Sequence, residues 1–355
     1  MTFKNYLQNT AGDIEKELDN FFQKWTEDVG NISPRLLPFG NALADACRGG
    51  KRIRGALVML GYEMSLANNG KRSFSDAQDD RIDGGGILKV AVAYEIFQAA
   101  ILAHDDIIDK SLLRRGKPSL YALFGGGHYG ESLAICLGDI GFFLAFQLIA
   151  LAGFAEKDKN KALAIFSKTM LETGIGELLD VELGNSRDGE VKDIIAVYEF
   201  KTAYYTITAP LLLGAVLGGL PDNSLSEIKI FGQNLGIAFQ IQDDINDIFS
   251  EKKQLGKEIG GDIKEGKQTL LYAYAKEHAD KKQRQLLKKF YGNSTIGAEE
   301  VEIVKNVMVE TGALEYIRAE AKRYSQKAKE SIPGITKSEK FGEMFLEMTE
   351  YFVKK

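Results

Sequence analysis

Four long stretches without proline constrain the fold of this chain most strongly. They cover residues 87–109, 132–151, 163–183 and 225–249, and each runs for about 20 residues, which is long for a globular helix. Only six prolines occur in 355 residues, and clusters of Gly, Pro and Asn separate the stretches. Alternating β patterns are scarce. The pattern therefore predicts an all-α fold: a single large bundle of long helices with short connections.

Composition narrows the class of protein further. The chain is 45% apolar and 27% charged, as globular proteins are, and no Ser/Pro/Gly-rich linker divides it. We therefore expect one domain spanning residues 1–355. The net charge of −5 and the lack of a long basic run argue against a nucleic-acid partner. Residues 1–20 lack the features of a signal peptide, and Cys47 and Cys136 are both expected to be buried free thiols. These features predict a cytoplasmic location.

The most apolar stretch, residues 133–155, could be mistaken for a membrane span. Asp139 and Gln147 interrupt it, and the uninterrupted part is too short to cross a bilayer comfortably. We expect a fully buried helix here and no stable membrane insertion.

An acidic element occurs twice within the long apolar stretches. Residues 105–109 and 243–247 both read Asp-Asp-x-x-Asp. On a helix, positions i, i+1 and i+4 lie on one side, so each element gathers three carboxylates. Their mutual repulsion is relieved by cations, and oxygen ligands without His or Cys select a hard ion such as Mg²⁺. The pair of elements predicts a Mg²⁺ site for a diphosphate.

Clusters of basic residues complement these carboxylates. Residues 49–54 read Gly-Gly-Lys-Arg-Ile-Arg, and residues 114–117 read Arg-Arg-Gly-Lys. Further cations occur at 201, 257 and 267. Glycines allow close approach of the backbone to an anion, and Lys and Arg bind phosphate directly. Together the clusters predict a second diphosphate site that does not depend on metal.

These elements, in this order, resemble the all-trans isoprenyl diphosphate synthase family over residues 40–275, including Gly138-Asp139, Lys201-Thr202 and the loop from Gly256 to Thr269. The resemblance implies an isoprenoid synthase-type bundle around a central cavity. It also implies a homodimer that condenses isopentenyl diphosphate with an allylic diphosphate, with three Mg²⁺ per active site. Loss of the allylic diphosphate creates a carbocation, the isopentenyl double bond attacks it, and the released diphosphate takes the proton.

The same resemblance implies a role for each matching residue. The Mg²⁺ ligands are Asp105, Asp106, Asp109, Asp243, Asp244 and Asp247. Isopentenyl diphosphate is bound by Lys51, Arg54, Gln98 and Arg115. The allylic diphosphate is bound by Arg114, Lys201, Thr202, Gln240, Lys257 and Lys267. The catalytic group is Asp105, Asp106, Asp109, Lys201, Asp243 and Lys257. Thr202 and Gln240 also face the forming carbocation with their dipoles.

Product length depends on the residues before Asp105. Ala100 and Ile101 stand where short-chain members often have aromatic residues, which disfavours a strict C15 stop. Phe97 and Tyr94 lie at further one-turn steps. Two interpretations are open. Either both residues are ordinary core aromatics, or Phe97 closes the end of the cavity at a product length near C20. The expected product is geranylgeranyl diphosphate, with farnesyl or longer polyprenyl diphosphates as alternatives.

Several positions depart from the family pattern. Gly55 stands where relatives usually have Pro, Tyr121 where His is frequent and Glu177 where Gln is frequent; residues 125–127 form a short glycine insertion. Two rival functions remain: a class I terpene cyclase and a non-catalytic synthase subunit. The residues at 51, 54 and 115 argue against the cyclase, and two intact aspartate elements argue against the subunit. A purely structural acidic protein does not explain the paired cations.

Overall fold

The computed structural model describes residues 2–70, 84–250 and 260–353. Their secondary structure is almost entirely helical, as the sequence predicts, and the strands are one two-residue pair. The chain forms two compact units. Unit 1 contains residues 1–167, 210–225 and 336–344, and unit 2 contains residues 168–209, 226–335 and 345–355.

The first half of the chain supplies most of unit 1. A 3-10 turn at Pro34–Leu36 precedes the helix Leu37–Cys47, and two short antiparallel strands follow the helix Gly84–Ile108. The helices of this half are α1 Phe3–Ile32, α2 Leu37–Cys47, α3 Ile53–Asn68, α4 Gly84–Ile108, α5 Leu120–Leu123 and α6 Gly127–Ala150. The strands are β1 Leu113–Arg114 and β2 Lys117–Pro118.

The rest of the chain alternates between the units. Helix α7 Glu156–Ser186 begins in unit 1 and continues into unit 2. A π-helix, Tyr198–Thr208, follows the helix Val191–Val197; π-helices are rare and are frequently found at functional sites. The remaining helices are α8 Val191–Val197, α9 Ala209–Leu217, α10 Asp222–Phe249, α11 Gly261–Glu265, α12 Leu270–His278, α13 Lys281–Phe290, α14 Ala298–Glu310, α15 Ala313–Ile335 and α16 Glu339–Val353.

Helix α4 is the central helix of unit 1. It packs against α1, α2, α3, α5 and α6. Its sequence is a run of Ala, Val and Ile, and nearly every side chain from Ile87 to Ala100 is buried. A helix that is apolar all round has to be enclosed by other elements. Enclosure of α4 fixes where its C-terminal aspartates emerge.

Two glycines bring α3 and α9 into backbone contact within unit 1. A Cβ on Gly61 would lie 2.3 Å from the carbonyl oxygen of Leu211, and a Cβ on Gly214 would lie 1.9 Å from that of Val58. Real Cβ atoms do not approach backbone oxygen so closely. The two helices therefore pack at a distance that only glycine permits at both positions.

The prediction of a fully buried helix at residues 133–155 is wrong. Helix α6 ends at Ala150, and one face of it is exposed: Phe143 is 74% exposed, and Ile140 and Cys136 are exposed on the same side. The prediction that Cys136 is buried fails for the same reason, whereas Cys47 is buried. The hydrophobicity of a helix does not by itself reveal which of its sides is buried against the rest of the chain and which is exposed.

In the part of the chain that the structure describes, two helices are long and apolar enough to cross a membrane by length and composition alone. The helix over Gly85–Ile108 has 78% of its apolar window buried inside the fold, and that over Gly127–Ala150 has 44%. Core helices of globular proteins pass the same test, so this observation is weak evidence for a span.

Candidate active site

The first aspartate element lies at the C-terminal end of α4. Asp106 is buried, and Asp105 and Asp109 are half-buried. Arg114, on β1, donates from Nε to Asp106 Oδ1 at 2.8 Å and from Nη2 to Asp105 Oδ2 at 2.9 Å. Burial lowers the pKa of Arg114, but the hydrogen bond and charge of Asp106 outweigh it and leave that pKa above its ordinary value. Arg114 is therefore a permanent cation beside two carboxylates.

The tight turn after β1 places the next arginine. Arg115 and Gly116 both have positive φ, at 54° and 76°, which lets β1 reverse into β2 within two residues. The Nη1 atom of Arg115 donates to the carbonyl oxygen of Gly49 at 2.9 Å. The guanidinium also lies 2.9–3.0 Å from the position of a Cβ on Gly50, so a larger residue there would have to displace the Arg115 side chain. The two predicted basic clusters thus meet in the structure.

One cavity of about 460 Å³ in unit 1 collects these groups. Its polar lining includes Asp106, Arg114, Arg115 and the backbone of Gly49 and Gly50. The cations Arg48 and Lys117 also line it, and the apolar wall consists of Ala99, Leu102, Ala103, Leu120 and Leu123. Sequence reasoning gave no role to Arg48, because its proximity to Arg114 depends on the fold. An anionic head group and an apolar tail both find matching surfaces here.

Three predicted isopentenyl diphosphate ligands lie outside the lining of this cavity. Lys51 is exposed in the loop before α3, and Arg54 is half-buried in the first turn of α3. Gln98, on α4, is buried, and its side-chain oxygen has no hydrogen-bond partner among the residues described. A buried acceptor without a partner is costly, which favours a ligand donor at this position.

The second aspartate element lies near the end of α10, in unit 2. Asp244 is buried, and the hydroxyl of Tyr198 donates a short hydrogen bond to its Oδ2. Gln240 donates to the other oxygen at 2.8 Å, and its own Oε1 accepts from Thr202 Oγ1 at 2.8 Å. Burial and the nearby charge of Asp262 raise the pKa of Asp244 well above its usual range. The predicted pair Thr202 and Gln240 is therefore joined directly to the aspartate element.

The other two carboxylates of this element differ from Asp244. Asp243 is exposed, and Asp247 is half-buried. Asp247 Oδ2 accepts the backbone N–H of Asp262 at 3.0 Å, which ties α10 to the start of α11. Lys267, a predicted allylic ligand, pairs with Glu265 at 3.2 Å and lies 3.6 Å from Asp262. Lys257 lies outside the described residues.

Lys201 lies in the π-helix and contacts α7. Its Nζ atom is 2.6 Å from Asp180 Oδ2 and 2.7 Å from Glu177 Oε2. Gly176 permits this approach, since a Cβ there would lie 2.3 Å from the backbone nitrogen of Lys201. The departure at Glu177 thus supplies a second carboxylate for the lysine. Sequence reasoning missed this pairing because it joins positions more than 20 residues apart.

An aromatic cluster lies deeper along α4. The Phe97 ring is 4.9 Å from that of Phe166 and 5.8 Å from that of Phe142, and Tyr94 lies 5.4 Å from Phe166. Phe97 and Tyr94 are buried. Neither Phe142 nor Phe166 was singled out from sequence, because the cluster joins α6 and α7 to α4. Of the remaining positions, Ala100 is buried with its Cβ 2.9 Å from the Cβ position of Gly141, and Ile101 is half-buried.

The donor set fits Mg²⁺ by its chemistry. Both elements offer carboxylate oxygen, the ligand type that Mg²⁺ prefers. Within residues 2–70, 84–250 and 260–353, no three acidic, His or Cys side chains are gathered as a ready cation site. Asp105 and Asp106 are instead directed to Arg114. His104 lies 3.4 Å from Asp139 and stacks on Phe142.

Comparison with known proteins identifies the family of this chain. The sequence model of the family described as Polyprenyl synthetase matches residues 39–309. A short chain isoprenyl diphosphate synthase of Methanothermobacter thermautotrophicus is 33% identical, over 88% of this chain and 89% of that protein. A geranylgeranyl diphosphate synthase of Sulfolobus acidocaldarius is 28% identical, over 95% and 98%.

The fold comparison gives the same result. A crystal structure of geranylgeranyl pyrophosphate synthase from Corynebacterium glutamicum, complexed with isoprenyl diphosphate and magnesium, superimposes with a TM-score of 0.89. The two chains are 24% identical, and the match covers 100% of this chain and 99% of that one. At this identity the likeness establishes the all-α isoprenoid synthase fold. The chain belongs to the polyprenyl synthetase family and is a prenyltransferase.

Proposed function

We propose that the protein condenses isopentenyl diphosphate with allylic diphosphates, head to tail, to make geranylgeranyl diphosphate. Farnesyl or longer polyprenyl diphosphates are the alternative products. The relative from Sulfolobus acidocaldarius that bears the name geranylgeranyl diphosphate synthase supports the C20 product. The non-aromatic side chains at Ala100 and Ile101, where short-chain members often have aromatic residues, also support a product longer than C15.

The observation that carries the proposal is the cavity of about 460 Å³ in unit 1. Asp106 of the first aspartate element, Gly49 and Gly50, and the pair Arg114 and Arg115 all line it, although they come from three separate places in the sequence. Only a ligand with a strongly anionic head and an apolar body contacts both the cationic part and the apolar part of the lining. Prenyl diphosphates and isopentenyl diphosphate have this chemistry.

In this proposal the cations divide between two diphosphates. Lys51, Arg54 and Arg115 bind isopentenyl diphosphate, with the side-chain amide N–H of Gln98 donating beside them. The allylic diphosphate is bound by Arg114, Lys201, Lys257 and Lys267. Direct contact with Arg and Lys positions one diphosphate without metal, so that substrate keeps its diphosphate through the reaction. The allylic diphosphate is the one that leaves, because breaking its C–O bond gives a resonance-stabilised allylic cation, and Mg²⁺ held by the aspartates would neutralise the charge that develops on it.

Mg²⁺ is the metal that this family uses, and we infer that both aspartate elements hold it, with three ions per active site. Its ligands would be Asp105, Asp106, Asp109, Asp243, Asp244 and Asp247. When bound, Mg²⁺ neutralises the charge that develops on the departing diphosphate.

The chain's own residues would serve each chemical step. Arg114 and Lys201 hold the allylic diphosphate while its C–O bond breaks and the electron pair passes to the diphosphate oxygen. The hydroxyl of Thr202 and the amide oxygen of Gln240 direct their dipoles at the cation. The isopentenyl double bond then forms the new C–C bond, and the proton lost from that substrate goes to the released diphosphate. The apolar residues of the cavity exclude water, which would otherwise capture the cation.

Product analysis tests the proposal. Purified protein is incubated with Mg²⁺, isopentenyl diphosphate and C5, C10 or C15 allylic diphosphate, and the prenyl products are sized. Elongation to C20 is expected. Release of a hydrocarbon or alcohol without elongation would indicate a cyclase instead. A site variant, Arg115→Gln, should raise KM for isopentenyl diphosphate at least tenfold, whereas the exposed control Arg318→Gln should match the parent protein.

We infer that the functional protein is a homodimer. The support is the exposed apolar face of α6, where Tyr129, Cys136, Ile140 and Phe143 recur at helical spacing. Phe143→Lys should give a monomer in light scattering, whereas Ile230→Lys, at another exposed apolar site, should not. Unhindered maleimide reaction at Cys136 in the parent protein would contradict a dimer through this face.

Two coarser proposals accompany these. The family model spans residues 39–309, which include parts of both compact units, and this supports one polyprenyl synthetase domain over residues 1–355. A cytoplasmic location without stable membrane insertion fits a chain whose α4 window is mostly buried within the fold.

A further inference from the structure

The loop between α2 and α3 has a strained backbone. Gly49 and Gly50 have φ values of 76° and 93°, and Arg52, which caps α3, has a φ of 52°. L residues other than Asn and Asp rarely adopt this left-handed conformation, because the Cβ approaches the backbone. Such a conformation persists only where the surroundings hold it. The structure should therefore contain contacts that fix Arg52.

Those contacts include a buried ion pair whose two residues lie outside the lining of the cavity. The Arg52 side chain is 2% exposed, and that of Glu95 on α4 is 6% exposed. Arg52 Nη1 lies 3.2 Å from Glu95 Oε2, and its Nη2 lies 2.7 Å from Oε1 of Glu15 on α1. Arg52 is thus directed into the protein, while Lys51 before it is exposed.

Glu95 also holds the next part of the same segment. Its Oε1 atom accepts the backbone N–H of Gly55 at 2.9 Å, one of the first-turn donors that a helix leaves unsatisfied. A Cβ on Gly55 would lie 2.8 Å from Ile14 Cδ1 and 3.1 Å from the carbonyl oxygen of Ala91. A proline here would lack the N–H and add atoms to a filled space. Glycine at position 55, where relatives usually have Pro, therefore keeps the N–H that Glu95 on α4 accepts.

The other end of the loop is held by a hydrogen bond from Arg115, which lies near other positive charges. Arg115 donates to the carbonyl of Gly49, and burial together with the charges of Arg52 and Arg114 lowers the pKa of Arg115. Glu95 acts in the opposite direction on that pKa. One buried carboxylate thus offsets the repulsion among several cations and anchors the backbone between Arg52 and Gly55.

We propose that Arg52, Glu95 and Gly55 are positioning residues for isopentenyl diphosphate. Glu95 holds the segment so that Lys51 and Arg54, on either side of Arg52, present their charges to the diphosphate before it arrives. Preorganised cations bind more tightly because no loop entropy is lost on binding. None of the three residues needs to contact substrate. The inference rests on the proposed function, since it assigns isopentenyl diphosphate to this loop.

The principal test is Glu95→Gln, measured by calorimetric titration of isopentenyl diphosphate without allylic substrate. The variant keeps an acceptor for Gly55 and removes the charge that pairs with Arg52. We expect Kd for isopentenyl diphosphate to rise about tenfold, as for loss of a charged hydrogen bond, with KM for the allylic substrate changed less than twofold. The control is Glu63→Gln, a carboxylate in unit 1 that accepts from Tyr6 and should leave Kd unchanged.

A second pair of variants isolates the N–H of Gly55. In an Ile14→Val background, which makes room for a Cβ, Gly55→Ala keeps the donor and Gly55→Pro removes it. The proline variant should bind isopentenyl diphosphate about tenfold more weakly than the alanine variant. This comparison also decides the question if Glu95→Gln fails to fold.

Each result has one meaning. An unchanged Kd in folded Glu95→Gln, or equal Kd for the Ala and Pro variants, overturns the positioning role. Equal loss of affinity for both substrates also overturns it, because that indicates general disorder. Failure of the parent protein to bind isopentenyl diphosphate overturns both the inference and the proposed site. Binding without elongation contradicts the proposed reaction alone, while the binding comparisons still decide the positioning role.

Discussion

Truncation of Phe97 tests the proposed limit on product length. Phe97 is 1% exposed, and its ring contacts those of Tyr94, Phe142 and Phe166. It precedes Asp105 by eight residues, or about 12 Å at 1.5 Å of rise per residue. If its ring closes the cavity, Phe97→Ala moves the floor one turn deeper, by about 4.5 Å, to Tyr94. The longest major product should then gain one C5 unit.

The assay sizes products made from the C15 primer by the parent and variant proteins under the same conditions. Phe97→Ala should also cost about 3–5 kcal/mol of unfolding free energy, because it empties a packed site. Circular dichroism has to establish that the variant is folded. Phe231→Ala serves as the matched control: Phe231 is equally buried, against Phe345 in unit 2, and its truncation should destabilise without lengthening the product.

The refuting result is an unchanged distribution of chain lengths in folded Phe97→Ala. It would mean that Phe97 is an ordinary core aromatic. Phe97→Leu tests whether side-chain volume sets the limit. It retains much of the volume of Phe97 and should leave both stability and product length closer to those of the parent protein.

Three other predictions follow from the same contacts. Tyr198→Phe keeps the ring but removes the hydroxyl that binds Asp244; kcat should fall about tenfold, as measured with saturating substrates, and an unchanged kcat would remove Tyr198 from the site. Chelation of divalent metal by EDTA should abolish turnover, and excess Mg²⁺ should restore it; full activity in EDTA would contradict the proposed metal. In protein unfolded by guanidinium both cysteines should react with iodoacetamide, whereas native Cys47 should stay unmodified, because burial raises the pKa of its thiol far above the assay pH.

The long helices were predictable because their signal is local. The stretch at residues 87–109 becomes α4, Gly84–Ile108, and that at 225–249 becomes α10, Asp222–Phe249. Each is an unbroken apolar run with breakers at its ends, and helix formation needs no more than that. The spacing of the aspartates was equally local, so both elements fall on helices as expected.

Pairings between distant positions were not predictable in this way. Tyr198 and Asp244 are 46 residues apart, and Arg52 and Glu95 are 43 apart. Nothing in the neighbourhood of either residue indicates its partner, because the pairing depends on how helices pack. The π-helix around Lys201 is likewise invisible to a pattern search that uses a period of 3.6 residues.

Some sequence features gave the right element but the wrong surroundings. The run at residues 132–151 does form a helix, α6, but its Phe143 side is exposed. An apolar residue that packs in the core and one that stays exposed at the surface look alike in sequence. Gly55 was recognised as a departure from the family; its hydrogen bond to Glu95 explains why proline is unsuitable there, and the close approach of Ile14 and Ala91 explains why glycine is suitable.

The paired glycines of α3 and α9 have a consequence for engineering a more heat-stable enzyme. Replacing helical glycine with alanine commonly gains about 0.5–1 kcal/mol, because alanine restricts the unfolded chain. At Gly61 and Gly214 the added methyl group would instead meet backbone oxygen at 2.3 Å and 1.9 Å and force the helices apart. Gly12 in α1 and Gly174 in α7 have nothing within 4 Å of the added atom. A stabilised variant should therefore carry alanine at positions 12 and 174 and retain Gly61 and Gly214.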